Sequence, residues 1–469
     1  MAAVASRSRI TALAIAAAVI VMWFVPPPEG LTAQAWRLFA LFAGAITLVL
    51  TGALPILTAS VMAVAAAVLT GLLSPEQAYA GFGNSTILLI VLAFLVARSV
   101  VTCGLGTRIG HLVVSRFGRS TLGLSYCILG VDSIIAPAFP SNTARSGVIF
   151  PLAYSLANAT GAQPGGVSRA RLGAFLIFSG MLSISLSSTL WLTAMAGNPL
   201  GASIARGFGV EIGFSTWLVA ASVPTLAAIV VMPFLMYKVM KPELTSTPEA
   251  PAAARRELAK LGPLSRNEKI VLVTFVGMTL LWGAADALNL DSTAIAFLGL
   301  AVLLVTGVVT LKDIKQQGDV LVTFIWFAIL FTLSSQLNEL GFMGFLGQRL
   351  AHRLGGFGPV AAAVTLPVAY ILLHYIFASQ TAHLLALFGV FLEVGVTLGV
   401  PAAPLAYQLL FATNYFSTIT PQGGSANLLF AESGYLSQSE LYRYGALTTA
   451  CHTVIFLVIG MPWLYLITR

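Results

Sequence analysis

The chain has 469 residues, of which 58% are hydrophobic and only 9% are charged. Soluble proteins carry about 25% charged residues, so this chain is expected to cross a membrane many times. The formal net charge of +8 comes mostly from short basic loops, which indicates orientation in a membrane and gives no reason to expect a nucleic-acid partner.

The first predicted element is the apolar run ITALAIAAAVIVMWFV (10–25), which follows Arg7 and Arg9. It is long, and the PPPEG that comes next offers no clear small-residue cleavage site. We therefore predict a retained first membrane helix rather than a signal peptide. No Arg- and Ser-rich transit peptide precedes it, so we expect a multi-pass protein of a bacterial inner (plasma) membrane rather than of an organelle.

Further stretches are apolar over the roughly 20 residues that a membrane helix needs. Including the first, uninterrupted candidates lie near 9–25, 35–50, 53–73, 84–102, 173–196, 215–237, 269–287, 293–311, 319–336 and 445–467. Three other apolar stretches are interrupted by short polar motifs. They lie at 121–160, 358–400 and 404–431. Residues 238–269 are different, because this Pro-rich segment holds seven of the 24 Lys and Arg. The positive-inside rule predicts that it is a cytoplasmic linker.

The two sides of this linker resemble each other. GLGTRIGHLVVSRFG (104–118) parallels GFMGFLGQRLAHRLG (341–355), and both are amphipathic with a basic face. Gly104 and Gly341 are 237 positions apart (341 − 104 = 237), and Ser141 and Ser379 are 238 apart (379 − 141 = 238). A constant offset at two separate landmarks indicates an internal repeat.

Both repeats contain a short polar motif, which we call a polar word, inside an apolar stretch. The two polar words are PSNTARSG at 140–147 and ASQTAHLL at 378–385. Proline ends a helix, and a following Ser or Asn can cap the next one. Each stretch is therefore either one kinked helix or a re-entrant hairpin that turns at the polar word. In a hairpin, the start of the second helix presents N–H groups and a positive dipole end deep in the membrane, which suits a carboxylate.

Two such starts facing each other would bind both ends of a dianion. The alternative is that these hydroxyl and amide groups only join helices by hydrogen bonds. The breaks GNP and TPQGG also fall in corresponding places of the two repeats, and paired broken helices are a pointer to a transporter site. The predicted substrate-binding residues are Ser141, Asn142, Thr143, Ser379, Gln380, Thr381, Gly197, Asn198, Pro199, Thr420 and Pro421.

Four segments carry a resemblance to a known family: NSTILLIVLAFLVARS, PSNTARSGVIFP, HYIFASQTAHLLAL and ITPQGGSANLLFAESGY. They resemble the divalent anion:sodium symporter family. Within it they look most like the exchanger branch, which includes the plastidic 2-oxoglutarate/malate translocators and bacterial dicarboxylate exchangers. In the family, paired Ser-Asn-Thr motifs at the tips of two hairpins bind the substrate carboxylates. The second motif departs from this pattern, because Gln380 stands in the Asn place and reaches one methylene further.

The resemblance implies an all-α polytopic membrane protein of about 11 transmembrane helices, with inverted repeats, two re-entrant hairpins and two broken helices. It also implies a homodimer in which a transport domain slides against a scaffold as an elevator. The expected scaffold is 1–118 and 269–356, with interfacial arms at 104–118 and 341–355. The expected transport domain is 119–237 and 357–469, and it holds hairpins 121–160 and 358–400 and broken helices 173–205 and 404–431; the cytoplasmic linker is 238–268.

A basic residue, Arg145 or His383, follows each motif threonine by two positions. In the family's symporters, sodium ions lie beside each motif and offset the charge of the substrate. Ionisable residues at membrane depth are costly unless they are paired. We predict that Arg145, and His383 when protonated, replace those sodium ions. The alternatives are an Arg145 that reaches the nearer interface and a neutral His383 in the core. Arg98 is expected to pair with Asp132 or to reach the membrane surface, and His374 to pack or hydrogen-bond.

The predicted function is sodium-independent exchange of C4–C5 dicarboxylates, such as 2-oxoglutarate, malate and succinate, without a cofactor or metal. The main alternative is a sodium-coupled di- or tricarboxylate symporter. An intramembrane protease is disfavoured because the chain has no Gly-x-Ser-x-Gly and no His-Glu-x-x-His. A passive channel is disfavoured by the duplicated hairpins and broken helices, which favour alternating access.

Overall fold

A computed structural model describes residues 2–170, 172–354, 356 and 358–468, without the side chains of residues 2–7 and 167. The first half contains eleven α-helices among these residues. They are α1 (Ala2–Phe24), α2 (Ala33–Leu50), α3 (Ile56–Leu69), α4 (Pro75–Tyr79), α5 (Ser85–Thr102), α6 (Leu105–Phe117), α7 (Thr121–Ile135), α8 (Asn142–Ala159), α9 (Gly173–Leu190), α10 (Gly197–Arg206) and α11 (Phe214–Met240).

The linker and the second half contain the remaining helices of the described chain. They are α12 (Glu249–Leu261), α13 (Arg266–Leu288), α14 (Ser292–Val305), α15 (Leu311–Lys315), α16 (Gly318–Glu339), α17 (Phe342–Arg353), α18 (Pro359–Leu373), α19 (Gln380–Thr397), α20 (Ala402–Tyr415), α21 (Asn427–Ala431), α22 (Gln438–Ile455) and α23 (Met461–Ile467). Within the described ranges the β-structure is limited to one isolated bridge, between Ser120 and Ser246.

Ten helices of the described chain are long and apolar enough to cross a membrane. They include α7, α18 and α19 of the two predicted hairpins, whereas α8 is not among them. Three shorter apolar helices lie at Ser8–Phe24, Ile56–Leu69 and Ser292–Val305. The prediction of an all-α polytopic membrane protein is confirmed.

The internal repeat extends to single residues. Both ends of α18 lie 238 positions after both ends of α7 (359 − 121 = 238, 373 − 135 = 238), and the same holds for α19 and α8 (380 − 142 = 238, 397 − 159 = 238). Gly104 before α6 has φ +80° and Gly341 before α17 has φ +78°. A positive φ is a conformation that glycine adopts without the steric cost of a Cβ, so both predicted arms enter their helix through the same turn.

The described chain divides into two compact units. Unit 1 contains Met1–Val91, Leu200–Glu211 and Gln317–Leu409, and unit 2 contains Leu92–Pro199, Ile212–Gln316 and Leu410–Arg469. Hairpin α7–α8 therefore belongs to unit 2 and hairpin α18–α19 to unit 1. This division does not follow the predicted boundaries of scaffold and transport domain, which stay a prediction.

The basic linker belongs to unit 2 and packs within it. Its helix α12 packs on α6, and Arg108 of α6 donates to Glu268 at 2.6 Å and to the Gly262 carbonyl at 2.8 Å. The backbone of Thr247 also pairs with Arg119 at 2.9 Å. A mostly apolar cavity of about 830 Å³ lies between α6, α8 and α12, and no residue of the two polar words lines it. This cavity is therefore separate from the polar words and from the helix breaks.

Candidate substrate-binding site

The first polar word forms the turn of a helical hairpin, which we call tip 1 (residues 136–145). After α7 the chain makes one 3₁₀ turn at Ala136–Ala138, and Pro140 prevents the helix from continuing. Ser141 then caps α8, and its hydroxyl accepts a hydrogen bond of 3.1 Å from the Ala144 N–H. The backbone N–H groups at the start of α8 therefore point towards the turn, which is the arrangement that binds anions.

The second polar word repeats this construction as tip 2 (residues 374–383). A 3₁₀ turn at His374–Ile376 follows α18, and Ser379 caps α19 by accepting a hydrogen bond of 3.3 Å from Ala382 N–H. Gln380 occupies the place of Asn142, and both side chains are buried. The structure thus confirms that the two polar words form equivalent turns, each with a serine that caps the following helix. Their role in binding stays a prediction.

The threonines of the two words are both accessible, at least in part. Thr143 is exposed and Thr381 is half-buried. The hydroxyl of Thr143 lies 2.7 Å from that of Ser425, which belongs to the break before α21. Ser425 is a residue that our sequence prediction did not include, although it stands in the quoted ITPQGGSAN segment.

Arg145, the last residue of tip 1, is fully buried and is paired with Asp132. Its Nε lies 3.4 Å from Asp132 Oδ1, and its Nη2 donates to Ser188 Oγ at 2.6 Å and to Asn142 Oδ1 at 3.1 Å. Of the two alternatives for Arg98, pairing with Asp132 is wrong, because Asp132 pairs with Arg145 and Arg98 is exposed. The guanidinium of Arg145 is enclosed by the protein, so it does not extend to the membrane surface. Asp132 offsets part of its charge.

Serines of α9 complete this buried cluster. Ser188 Oγ donates to Asn142 Oδ1 at 2.8 Å, and Ser187 Oγ donates to the carboxylate of Asp132. Two donors thus hold the Asn142 oxygen, one from Arg145 and one from Ser188. This fixes the orientation of the amide in the first turn of α8, so Arg145 acts on tip 1 partly through Asn142.

His383, the last residue of tip 2, is buried, and it contacts a second histidine. Its Nδ1 lies 3.1 Å from Nδ1 of His374. The ring is surrounded by aromatic groups, with the Tyr370 centroid at 4.3 Å and the Phe377 centroid at 4.8 Å. His374 is therefore a hydrogen-bonding residue, as predicted, and its partner is the candidate charge-compensating histidine.

The first broken helix is confirmed. Every residue of α9 is buried, the chain leaves helical geometry at Trp191, and it resumes as α10 at Gly197. Asn198, which is fully buried, donates through Nδ2 to the carbonyls of Ser188 at 2.9 Å and Trp191 at 3.2 Å. The predicted residues Gly197, Asn198 and Pro199 are all buried.

The second broken helix is confirmed as well. After α20 the chain makes a 3₁₀ turn at Phe416–Ile419 and resumes as α21 at Asn427. Asn427 Nδ2 donates to the Ser417 carbonyl at 2.7 Å and to the Thr420 carbonyl at 3.3 Å. The Thr420 hydroxyl is buried without a hydrogen-bond partner among the described residues, and Pro421 is half-buried.

Unit 2 thus brings together three of the four predicted elements, namely tip 1 and the two helix breaks. Tip 2 belongs to unit 1. Within the described residues no group of three or more His, Cys, Asp or Glu side chains is close enough to hold a metal ion. What unit 2 offers instead is a set of amides, hydroxyls and helix starts, which are groups that bind carboxylates.

An all-α chain with duplicated hairpins and two broken helices is a polytopic membrane transporter, and comparison with known proteins gives its family. The model of the sodium:sulfate symporter transmembrane region matches residues 6–468. The chain therefore belongs to the divalent anion:sodium symporter family. This confirms the resemblance found in its motifs, and the protein is a transporter rather than an enzyme.

Named relatives span almost the whole chain. The transporter YflS of Bacillus subtilis (strain 168) is 39% identical over 98% of this chain and 96% of its own. Dicarboxylate transporter 1, chloroplastic, of Spinacia oleracea is 37% identical over 95% of this chain and 79% of its own. Inner membrane protein YbhI of Escherichia coli (strain K12) is 31% identical over 94% of both.

The solved structures that resemble this chain are more distant. The YdaH transporter of Alcanivorax borkumensis gives a TM-score of 0.57 at 15% identity and covers 98% of both chains. The MtrF protein of Neisseria gonorrhoeae gives a TM-score of 0.57 at 14% identity, over 98% of this chain and 95% of its own. At such identities the likeness concerns the fold alone.

Proposed function

We propose that this protein exchanges C4–C5 dicarboxylates across a bacterial inner membrane without sodium. The observation that carries the proposal is the equivalence of the two tips. Each has a capping serine, an amide, a threonine and, four positions after the serine, a basic residue, Arg145 or His383. Two carboxylate-binding tips match the two carboxylates of the substrate, and the relatives named chloroplastic dicarboxylate transporters support the substrate class.

Substrate binding is assigned to the capping serines, to Thr143 and Thr381, to the amides of Asn142 and Gln380, and to the two helix breaks. The first break contributes Gly197, Asn198 and Pro199, and the second contributes Thr420 and Pro421. Hydroxyl and amide donors at a helix start stabilise a carboxylate because they add to the positive end of the helix dipole. Arg145 and protonated His383 supply the positive charge beneath the tips.

Exchange follows from the fact that a side chain cannot leave the site as a sodium ion can. An empty carrier keeps its buried charged and polar groups, and moving such groups through a low-dielectric region without a counter-charge costs several kcal/mol. The loaded carrier avoids most of this cost. Because Asp132 offsets part of the charge of Arg145, the strictness of exchange depends chiefly on the charge at tip 2.

The proposal includes the expected mechanism and assembly. A transport domain moves with its substrate against a scaffold, as an elevator, in each protomer of a homodimer. The amphipathic helices α6 and α17 connect the two domains. Their basic faces suit the lipid headgroup region, where Lys and Arg side chains reach towards water.

The test is uptake of radiolabelled succinate into liposomes that contain the purified protein. We expect uptake only when the liposomes hold an internal dicarboxylate, and we expect no change when sodium is replaced by potassium or choline. Strong sodium-driven uptake into empty liposomes would instead show a symporter, and Arg145 and His383 would then not replace sodium.

A further inference from the structure

The two tips differ in how their basic residue is compensated. Beneath tip 1, Arg145 has the fixed counter-ion Asp132 at 3.4 Å. The position equivalent to Asp132 is Tyr370 (370 − 132 = 238), as His383 is equivalent to Arg145 (383 − 145 = 238). A phenol is uncharged at neutral pH, so a positive charge on His383 has no built-in carboxylate at this position.

The neighbour that His383 does have is His374. The two Nδ1 atoms are 3.1 Å apart, and both side chains are completely buried. One ring must donate its N–H to the bare Nδ1 of the other. A first added proton keeps this bond and makes it charge-assisted. A second would place two N–H groups and two positive charges against each other, so the pair is built to hold one proton.

Among the described residues of unit 1, the helices that pack against α19 carry few charged side chains, and none of these is buried. Helices α16, α17 and α18 pack against α19, and α18 contains no charged residue. Glu393, the single acid of α19, packs against Gly347, ten residues and about 15 Å along the helix from His383. The charged and titratable residues of α16 and α17 are all exposed: Asp319, Glu339, Arg349, His352 and Arg353.

We infer that the His374–His383 pair is a proton-binding site, and that it takes up a proton from water when a dicarboxylate binds at tip 2. The inference rests on the proposed function. Burial among the Tyr370 and Phe377 rings, at the positive end of α19, disfavours a protonated pair in the empty protein. A bound carboxylate reverses this balance. One proton moves from water to a ring nitrogen, and no covalent bond of the substrate changes.

The direct measurement is the number of protons taken up on binding. Purified full-length protein is titrated with 2-oxoglutarate by calorimetry near pH 7.5, in buffers of different ionisation enthalpy, because this ligand is already a dianion there. We expect close to one proton to be taken up per bound ligand where the free pair is deprotonated. In that range the affinity should fall as the pH rises, by up to about tenfold per pH unit. Binding without proton uptake would overturn the inference and leave the proposed function standing.

Variants locate the proton. His374→Gln removes the ring that shares the proton with His383, so protonation of His383 should become less favourable and proton uptake should fall while binding remains measurable. Tyr370→Asp supplies the counter-ion that tip 1 has, so the pair should stay protonated and uptake should disappear although binding persists. Uptake that is unchanged in both variants would overturn the inference.

The matched control is His452→Gln, because His452 is equally buried but lies on α22 in unit 2. It should keep the uptake of the unmodified protein, and loss of uptake in this variant alone would place the proton there and overturn the inference. If the unmodified protein binds neither 2-oxoglutarate nor succinate, the proposed function fails, and this inference fails with it.

Discussion

Asn414 Nδ2 donates a hydrogen bond of 2.8 Å to Asn198 Oδ1, and this bond joins the ends of two broken helices. Asn198 stands in the first turn of α10, and Asn414 stands one residue before the end of α20. Both side chains are fully buried. Since Asn198 also donates to the Ser188 and Trp191 carbonyls, one amide adds hydrogen bonds to backbone groups at the break in α9–α10.

Replacing either asparagine should therefore destabilise unit 2. Asn198→Ala removes the side-chain donor to the buried Ser188 and Trp191 carbonyls and one acceptor of the Asn414 amide, at a cost of about 1–3 kcal/mol. Because the two residues are in contact, the double variant with Asn414→Ala should cost less than the two single costs together, with a coupling of about 0.5–3 kcal/mol. Denaturant unfolding of the solubilised protein measures all three values, and strictly additive costs would contradict the bond.

The ion pair beneath tip 1 predicts a rescue. Arg145→Gln leaves Asp132 as an unpaired buried charge, which costs about 3–5 kcal/mol, whereas adding Asp132→Asn removes that charge and should recover most of the stability. The control is Arg206→Gln, which breaks the exposed pair with Glu211 and should cost about 1 kcal/mol or less.

Exchange in the same variants separates stability from function. Arg145→Ala and Arg145→Gln should abolish or strongly impair exchange, and the stable double variant should not regain it, because Asn142 has lost the guanidinium donor that orients its amide at tip 1. Radiolabelled succinate exchange in liposomes measures this. Full activity in the double variant would give Arg145 a structural role only.

The motif threonines should matter for affinity rather than for folding. Thr143→Ala and Thr381→Ala each remove a hydroxyl that we assign to a substrate carboxylate, and a hydrogen bond to a charged group contributes about 1.5–3 kcal/mol, or ten- to a hundredfold in Kd. Equilibrium binding of succinate measures the effect. Thr102→Ala is the control, since this exposed hydroxyl donates to the Arg98 and Ser99 carbonyls of its own helix. Unchanged affinity in both motif variants would refute the assignment.

The orientation in the membrane can be tested at two exposed or half-exposed positions. The basic linker predicts that Arg255→Cys is labelled from the cytoplasm. An odd number of crossings predicts that Thr468→Cys is labelled from the periplasm. Both are examined in a chain whose Cys103, Cys127 and Cys451 have been replaced, and labelling of both from one side would contradict eleven crossings.

Local signals in the sequence predicted the hairpins closely. The stretches 121–160 and 358–400 were placed by their prolines and by Ser141 and Ser379, and the structure has α7–α8 and α18–α19 there. Such signals work because a proline or a capping hydroxyl acts on its own turn of the backbone. The helix breaks were predictable for the same reason.

The partners of the buried residues were not predictable in this way. Pairing Asp132 with Arg98 was wrong because partner choice depends on which face of α7 meets α8 and α9. A usable signal did exist, since Asp132 and Arg145 lie at equal distances on either side of the turn and a hairpin brings such positions to one depth. Ser188, Ser425 and Asn414 gave no comparable signal, because their contacts join segments far apart in the chain.

The short separation of Asp132 and Arg145 also bears on how the protein is made. The two residues are 13 positions apart (145 − 132 = 13), so both emerge from the ribosome within seconds of each other. A lone Asp or Arg at the centre of an inserting helix costs about 2.5–3.5 kcal/mol. A hairpin that closes before it meets lipid carries the two charges as one neutral pair. Its helices would then leave the translocon together, and the second would need neither strong hydropathy of its own nor help from a helix synthesised later.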